Sequence, residues 1–321
     1  MDPWPDARAA VPDSYCAGSV AGLNWMARSR WMNLARVAFL VAVALGGWWG
    51  FRGREDELWA ELRNTSVAQL ATALALTLVG LFITAVIWRT IMAGLGAELG
   101  LRDALSIFFV GQLGKYVPGS VWTVGAQAYL ARRCDIPARV TAGAGLIFLG
   151  YNVATAVLVG GLACMAQAVD APWPRAATVA GVVATLLALT PPVVRWLGKR
   201  LAGRTMRLGW TQSALLIGLM GCVWGLYALA LLKLASSARH FWLLAGAFAI
   251  SYAIGVVVVF APAGLGAREA MFIVLTAPVI GAAPAAALAL LARAVHTAAD
   301  VSLAFGSWLI ARGGSKPRVR S

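Results

Sequence analysis

The stretch GQLGKYVPGSVW, residues 111–122, decides how the rest of the chain is read. It interrupts an apolar segment with Lys115, Tyr116 and Pro118, flanked by Gly114 and Gly119. In hydrocarbon every backbone N–H and C=O needs an internal partner, so an unforced break in a helix is costly there. Pro118 removes a donor and turns Val117 away from helix, and Gly119 frees the chain to turn. Lys115 brings a charge that costs about 3 kcal/mol or more at the bilayer centre unless it is paired or hydrated. The plain alternative is a short loop with a snorkelling lysine. Against it stands a second stretch, FAPAGLGAREA at 260–270, with Pro262, Gly264 and Gly266 followed by Arg268 and Glu269. Two Pro/Gly-interrupted segments, one in each half, point to a binding site near the membrane midplane.

Working outward, the composition fits a membrane interior. Of 321 residues, 60% are hydrophobic and 12% charged, and the mean hydropathy is +0.77. Several apolar runs reach the roughly 20 residues that a crossing requires. The spans read at about 33–51, 67–93, 104–131 with its break, 140–168, 176–196, 212–235 and 241–261, then a shorter apolar piece at 269–283 and a last helix at 285–310. The expectation is an all-α polytopic membrane protein of about eight crossings, with two broken, re-entrant segments arranged as an inverted repeat. Residues 1–32 read as a disordered cytoplasmic tail, 33–310 as one transmembrane domain, and 311–321 as a basic cytoplasmic tail.

The net charge is +14, from 27 Lys+Arg against 13 Asp+Glu. The basic residues fall between the apolar spans, so the excess reads as membrane topology and affinity for anionic headgroups, not as a nucleic-acid surface. The richest loop, 195–210, carries Arg195, Lys199, Arg200, Arg204 and Arg207 and is placed in the cytoplasm with both termini. Counting back, Arg132–Arg139 also lies inside, as do Arg89 and Arg102. Segment 104–131 then begins and ends on one side, which a hairpin turning near Pro118 satisfies and a straight span does not. Residues 52–66 read as a polar outer connection, and Trp88–Arg89 as an interface anchor.

Cys16, Cys134, Cys164 and Cys222 show no CxxC and no metal spacing, so neither a disulfide framework nor a metal site is expected, nor any cofactor. No Walker lysine, HExxH or GxSxG is present, which leaves no ATP site and no familiar catalytic signature. Gly221–Gly225 has the spacing of a helix contact. Asn152, Gln112, Gln127 and Gln167 read as intramembrane amides that bond between helices.

The last helix places Arg293, His296 and Asp300 three and four residues apart, on one face near the bilayer centre. One reading is an Arg293–Asp300 bridge that locks helices together. The other is the polar wall of a cavity, gating it or coupling it to protons, with His296 the carrier. Glu269 at a helix start suits the dipole and leaves Arg268 to face an anion, since a guanidinium binds two phosphate oxygens at once. Backbone N–H groups at helix starts after Gly119 and Gly266 would point at the same anion. Lys115, Arg268 and the two broken ends together read as a site for phosphate or an anionic headgroup.

GKYVPGSVW at 114–122, and PAGLGAREA at 262–270 followed by a helix with Arg293 and Asp300, resemble the transmembrane region of lysylphosphatidylglycerol synthases, the flippase domain of the multiple peptide resistance factor. The resemblance covers about 33–310. By it, Lys115, Tyr116, Pro118, Gly119, Pro262, Gly264, Gly266, Arg268 and Glu269 fall on the family motifs and imply substrate contacts. Ala263 departs from the glycine common there. No aminoacyl-transferase domain follows residue 321, so lysyl-lipid synthesis is not expected. The resemblance implies a stand-alone translocase in the cytoplasmic (inner) membrane, not an enzyme. Its substrate would be an anionic phospholipid or a polyprenyl-phosphate-linked lipid. The rivals are a membrane enzyme acting on a lipid-linked substrate and a scaffold for an envelope-lipid synthase. An envelope-lipid synthase or a second copy of the chain is the protein partner expected, and no nucleic acid.

Overall fold

A computed structural model describes residues 55–116, 122–170, 173–235, 240–258 and 264–312. The span read at 33–51, the first tail, residues 313–321 of the second, and Pro118, Gly119 and Pro262 lie outside these residues. Every regular element among the described residues is helical. In chain order they are α1 (Glu55–Asn64), α2 (Val67–Gly94), α3 (Leu101–Gln112) running into a 3₁₀ turn (Leu113–Tyr116), α4 (Trp122–Ala131), α5 (Ala138–Met165), α6 (Arg175–Ala188), α7 (Pro191–Ala202), α8 (Trp210–Leu234), α9 (Phe241–Val257), α10 (Ala267–Ile280) and α11 (Ala282–Arg312).

Four of these, α2, α5, α8 and α11, are long and apolar enough to cross a membrane, or five spans if α6 and α7 are one broken span. That is fewer straight crossings than the eight expected. The difference arises partly at 176–196, which is not one helix: the chain bends by 68° between α6 and α7. The cause is local. Pro191 and Pro192 occupy the first positions of α7, where a missing N–H costs nothing, but neither can continue α6. Residues 55–64, read as part of a polar connection, instead wind into α1, which packs against α11. The start of α2 is fixed by a reciprocal cap: the Gln69 N–H donates to Ser66 Oγ (3.2 Å) and the Ser66 N–H donates to Gln69 Oε1 (2.8 Å).

The basic loops converge on one face. The Arg207 N–H donates to the Gly94 carbonyl at the end of α2 (2.8 Å), and Arg204 Nη1 reaches the Leu95 and Gly96 carbonyls (3.4 Å each). Arg139, at the start of α5, donates to the Arg200 carbonyl (3.3 Å), and Arg89 Nε to the Leu99 carbonyl (2.7 Å). Arg139 and Arg204 thus satisfy carbonyls left over at the ends of α7 and α2, where the dipole also favours a cation, and Arg89 meets the carbonyl just before α3. The end of α2 and the start of α5 therefore lie on the same face, and α3 and α4 between them must go in and come back.

The close approaches in that pair confirm the antiparallel path. A Cβ added to Gly111 would collide with the Gln127 side chain, and one on Gly114 would lie 2.7 Å from the Thr123 nitrogen. Residue 111 thus faces 127 and 114 faces 123, which is the register of a hairpin. The second broken segment behaves alike. Phe248 meets Phe272 (6.5 Å between ring centres), Tyr252 meets Arg268, and Gly255 meets Gly264. Gly264 has φ 68°, and a Cβ there would lie 2.9 Å from the Gly255 Cα. Only glycine combines that backbone with that contact. The order long helix, hairpin, long helix thus occurs twice, as α2, α3–α4, α5 and as α8, α9–α10, α11. Because α2 ends on the basic face and α8 begins there, the two units start in opposite directions.

Two sequence expectations about packing are corrected. Trp88 is not an interface anchor: it is fully buried with its ring 5.7 Å from Phe108, because the end of α2 is enclosed by α3 and α11. Among the described residues Gly221 and Gly225 make no helix contact, since no described atom lies within 4 Å of a Cβ built on either. The α2–α8 approach occurs instead at Gly80, where a Cβ would lie 2.6 Å from the Tyr227 ring. Substitution Gly114→Val is expected to force the arms of the first hairpin apart at a cost of about 1–3 kcal/mol. It would be read as a lower thermal-unfolding midpoint in detergent. Gly218→Ala, with no described residue within 4 Å of the new Cβ, should not lower the midpoint. Equal midpoints for Gly114→Val and the parent chain would contradict the hairpin register.

Candidate functional site

The two hairpins and α11, with parts of α2, α5 and α8, line a cavity of about 230 Å³. From the first hairpin come Gln112, Lys115, Tyr116, Thr123 and Gln127; from the second, Tyr252, Gly255, Gly264 and Arg268; from α11, Arg293, His296, Thr297 and Asp300. The sequence placed Lys115 and Arg268 in one site from two distant motifs, and both line this cavity. Arg293, His296 and Asp300 form its wall on one face of α11, as their spacing predicts.

The pairing differs from the simplest expectation. Asp300 does not bridge to Arg293. Its Oδ2 lies 2.6 Å from Lys115 Nζ and accepts the Tyr116 hydroxyl proton at 2.7 Å. Arg293 Nη1 instead donates to Glu269 Oε1 at 2.8 Å. The helix geometry explains this. Two turns separate the residues, and the elements packed beside them differ: the 3₁₀ turn after α3 lies at Asp300 and α10 at Arg293. A buried carboxylate needs a cation and hydrogen bonds to stay charged, and Asp300 is only 3% exposed. Each broken hairpin is thereby pinned to the same helix by one ion pair.

Glu269 also accepts the Gly266 N–H with Oε2 at 2.6 Å, closing the first turn of α10. The positive end of this helix already holds a carboxylate, which takes one of the N–H groups expected to point at an anion. The stretch before α4, from which the other donors were expected, lies outside the described residues.

Arg268 is left as the distinctive charge. Its guanidinium carbon lies 4.4 Å from the centre of the Phe248 ring and 5.4 Å from that of Tyr252. Among the described residues no carboxylate lies within salt-bridge distance of it. Aromatic faces hold the planar group in place through cation–π attraction without consuming its donors. Its forked N–H groups therefore suit a two-oxygen anion.

Sequence reasoning missed part of the wall. Tyr227 and Tyr252 sit in apolar runs and carry no motif, although a tyrosine within a span is itself a weak signal. Gln127 and Asn152, read as interhelical amides, also line the cavity. Gln167 does not: it has φ 58° in the turn after α5, beyond the helix.

The helices and this site define a multi-pass membrane protein with a charged cavity between two helix breaks. The chain belongs to the lysylphosphatidylglycerol synthase transmembrane-region family, whose sequence model matches residues 33–304. No curated protein matches the chain. Within the site, Lys115→Met leaves the Asp300 carboxylate with Tyr116 alone and is expected to cost about 3 kcal/mol. The loss is put at the lower end of the range for buried pairs because the Lys115 side chain is 32% exposed. The double variant Lys115→Met/Asp300→Asn should recover most of that stability in denaturation measurements. A double variant no more stable than Lys115→Met would show that the pair is not coupled.

Proposed function

We propose that the protein is a translocase that carries the headgroup of an anionic phospholipid or polyprenyl-phosphate-linked lipid across the cytoplasmic membrane. In this reading both termini and the basic face are cytoplasmic, in keeping with the positive-inside rule. The two hairpins are re-entrant, and the repeated order of long helix, hairpin and long helix in opposed directions is an inverted repeat. The observation that carries the reading is Arg268, a cation at the break of the second hairpin, facing a cavity shared with the first and without a carboxylate partner among the described residues.

The physical problem in moving such a lipid is its phosphate. A charge at the membrane centre costs several kcal/mol, whereas the tails are at ease in hydrocarbon throughout. A guanidinium held ready in the cavity offsets most of that cost at the point where it is greatest. Lys115 can then share its ammonium between Asp300 and a phosphate oxygen, while Tyr116 keeps its hydrogen bond to the carboxylate. Arg293, His296 and Asp300 form the wall that must shift for the headgroup to pass, and so serve as the gate. With no ATP motif in the sequence, movement is driven by the lipid gradient or by ions. The chain performs no bond chemistry on the lipid.

Reconstituted vesicles carrying a headgroup-labelled anionic lipid test this. Chemical quenching of label on the outer leaflet should reveal movement that is lost on Arg268→Ala by at least about tenfold, as expected when a buried charge loses its partner. Arg268→Lys, which keeps the charge but not the fork, should retain part of the rate. Arg102→Ala, at an exposed position at the start of α3, should leave it unchanged. An Arg268→Ala protein that moves lipid as fast as the parent would refute the site.

A further inference from the structure

A second cavity, of about 300 Å³, lies at the end of the bundle away from the basic loops. Among the described residues it shares no lining residue with the charged cavity. Its place follows from the helix order. The helix α8 begins on the basic face and reaches this cavity at its other end with Leu234. Thr65, also in the lining, comes just before α2, which ends on the basic face. Most of the wall is apolar, with Leu244, Leu288 and Leu291 facing Val279 and Pro284.

Three polar side chains interrupt that wall: Glu61, Thr65 and His240. All three offer acceptors. The Thr65 hydroxyl donates to the Glu61 carbonyl at 3.4 Å, which leaves its oxygen lone pairs, and an imidazole accepts at one nitrogen. Glu61 is half-buried, and its carboxylate takes part in neither of the two ion pairs among the described residues. The helix ends add to this. Three helices, α1, α8 and α10, end at the cavity, whereas α9 and α11 begin there, so the dipoles sum to the negative side. Lys233, in the last turn of α8, is exposed and lies outside the lining. Neither lysine nor arginine occurs in the described lining, so a phosphate or carboxylate placed there would meet acceptors and no counter-charge.

We propose that this cavity binds a small apolar compound carrying one primary ammonium. Such a group has three donors and no acceptor, which matches Glu61, Thr65 and His240. Its hydrocarbon or aromatic body fills the leucine-lined remainder, in the manner of pockets where a few polar groups orient an otherwise apolar occupant. Glu61 supplies the charge and sets the preference for an amine over an alcohol of the same shape, because a hydrogen bond between two ions is about twice as strong as a neutral one. Leu291 lines this cavity and Arg293, two residues on, lines the charged one, so an occupant here bears on the helix that carries both. Binding here requires no translocation and stands whether or not the chain moves lipid.

Titration of the full chain in maltoside micelles with para-fluorophenethylamine, followed by fluorine NMR, tests this. A saturable, protein-dependent signal is expected, and Glu61→Gln should weaken it by about tenfold or more. The matching alcohol, para-fluorophenethyl alcohol, keeps the body and loses the charge, and should bind about tenfold more weakly than the amine. The matching acid, para-fluorophenylacetate, should not bind. Asp56→Asn, at an exposed position on the same helix as Glu61, should leave amine binding unchanged, which separates the cavity from general attraction to an acidic surface. Val279→Trp, at a rim position that is 53% exposed, should block the cavity and abolish binding without disturbing the core. Equal amine binding by the parent chain and Glu61→Gln overturns the proposal. So does equal binding of amine and alcohol by the parent chain, or undiminished amine binding by Val279→Trp.

Discussion

Two carboxylate–cation contacts, two turns apart on one face of α11, hold the arrangement together. Asp300 binds Lys115 from the first hairpin, and Arg293 binds Glu269 from the second. Carboxylates inside a low-dielectric bundle are costly unless a cation meets them, so each break in the fold is stationed where α11 offers the opposite sign. That requirement fixes the depth of both hairpins against one helix and creates the cavity between them. Small residues make the approach feasible: Ala285, Ala286, Ala289, Ala292 and Ala299 are buried along the helix and let neighbouring backbones close in.

The breaks follow from the same physics. A chain that reverses inside a membrane protein leaves backbone groups unsatisfied unless protein or water meets them. Here glycine closeness lets the arms of each hairpin touch, at Gly111 and Gly114 in the first and at Gly255 and Gly264 in the second. Glu269 then binds a backbone N–H with one oxygen and Arg293 with the other. A single side chain thus serves helix capping and bundle locking at once. The division of labour leaves Arg268 clasped by aromatic rings and directed at the cavity.

Much of this was legible from residues 111–122 and 260–270, because proline, glycine and charge in an apolar context break helices whatever the tertiary context. The hairpin between the ends of α2 and α5 followed from the basic loops, and the arginine–carbonyl contacts bring those loops together as counted. Partner choice was not legible. Periodicity puts Arg293 and Asp300 on one face but does not say which element packs beside each, so their bridge to one another was an open reading until the fold sent them to different hairpins. The burial of Trp88 was hidden likewise, since a tryptophan beside an arginine at a span end reads alike at an interface and under a packed helix. The bend at Pro191 was in plain view, and the apolar run around it masked the break.

The central claim is that both broken segments face a single anion-binding cavity within the membrane. A photoactivatable group placed in the headgroup of an anionic lipid, followed by peptide mapping of the crosslinks, addresses it most directly. The account predicts label on both hairpins and on α11, on peptides that carry Tyr116 or Gln127, Tyr252 or Arg268, and Thr297. Label confined to one hairpin, or to the outer surfaces of α6 and α7, would contradict it.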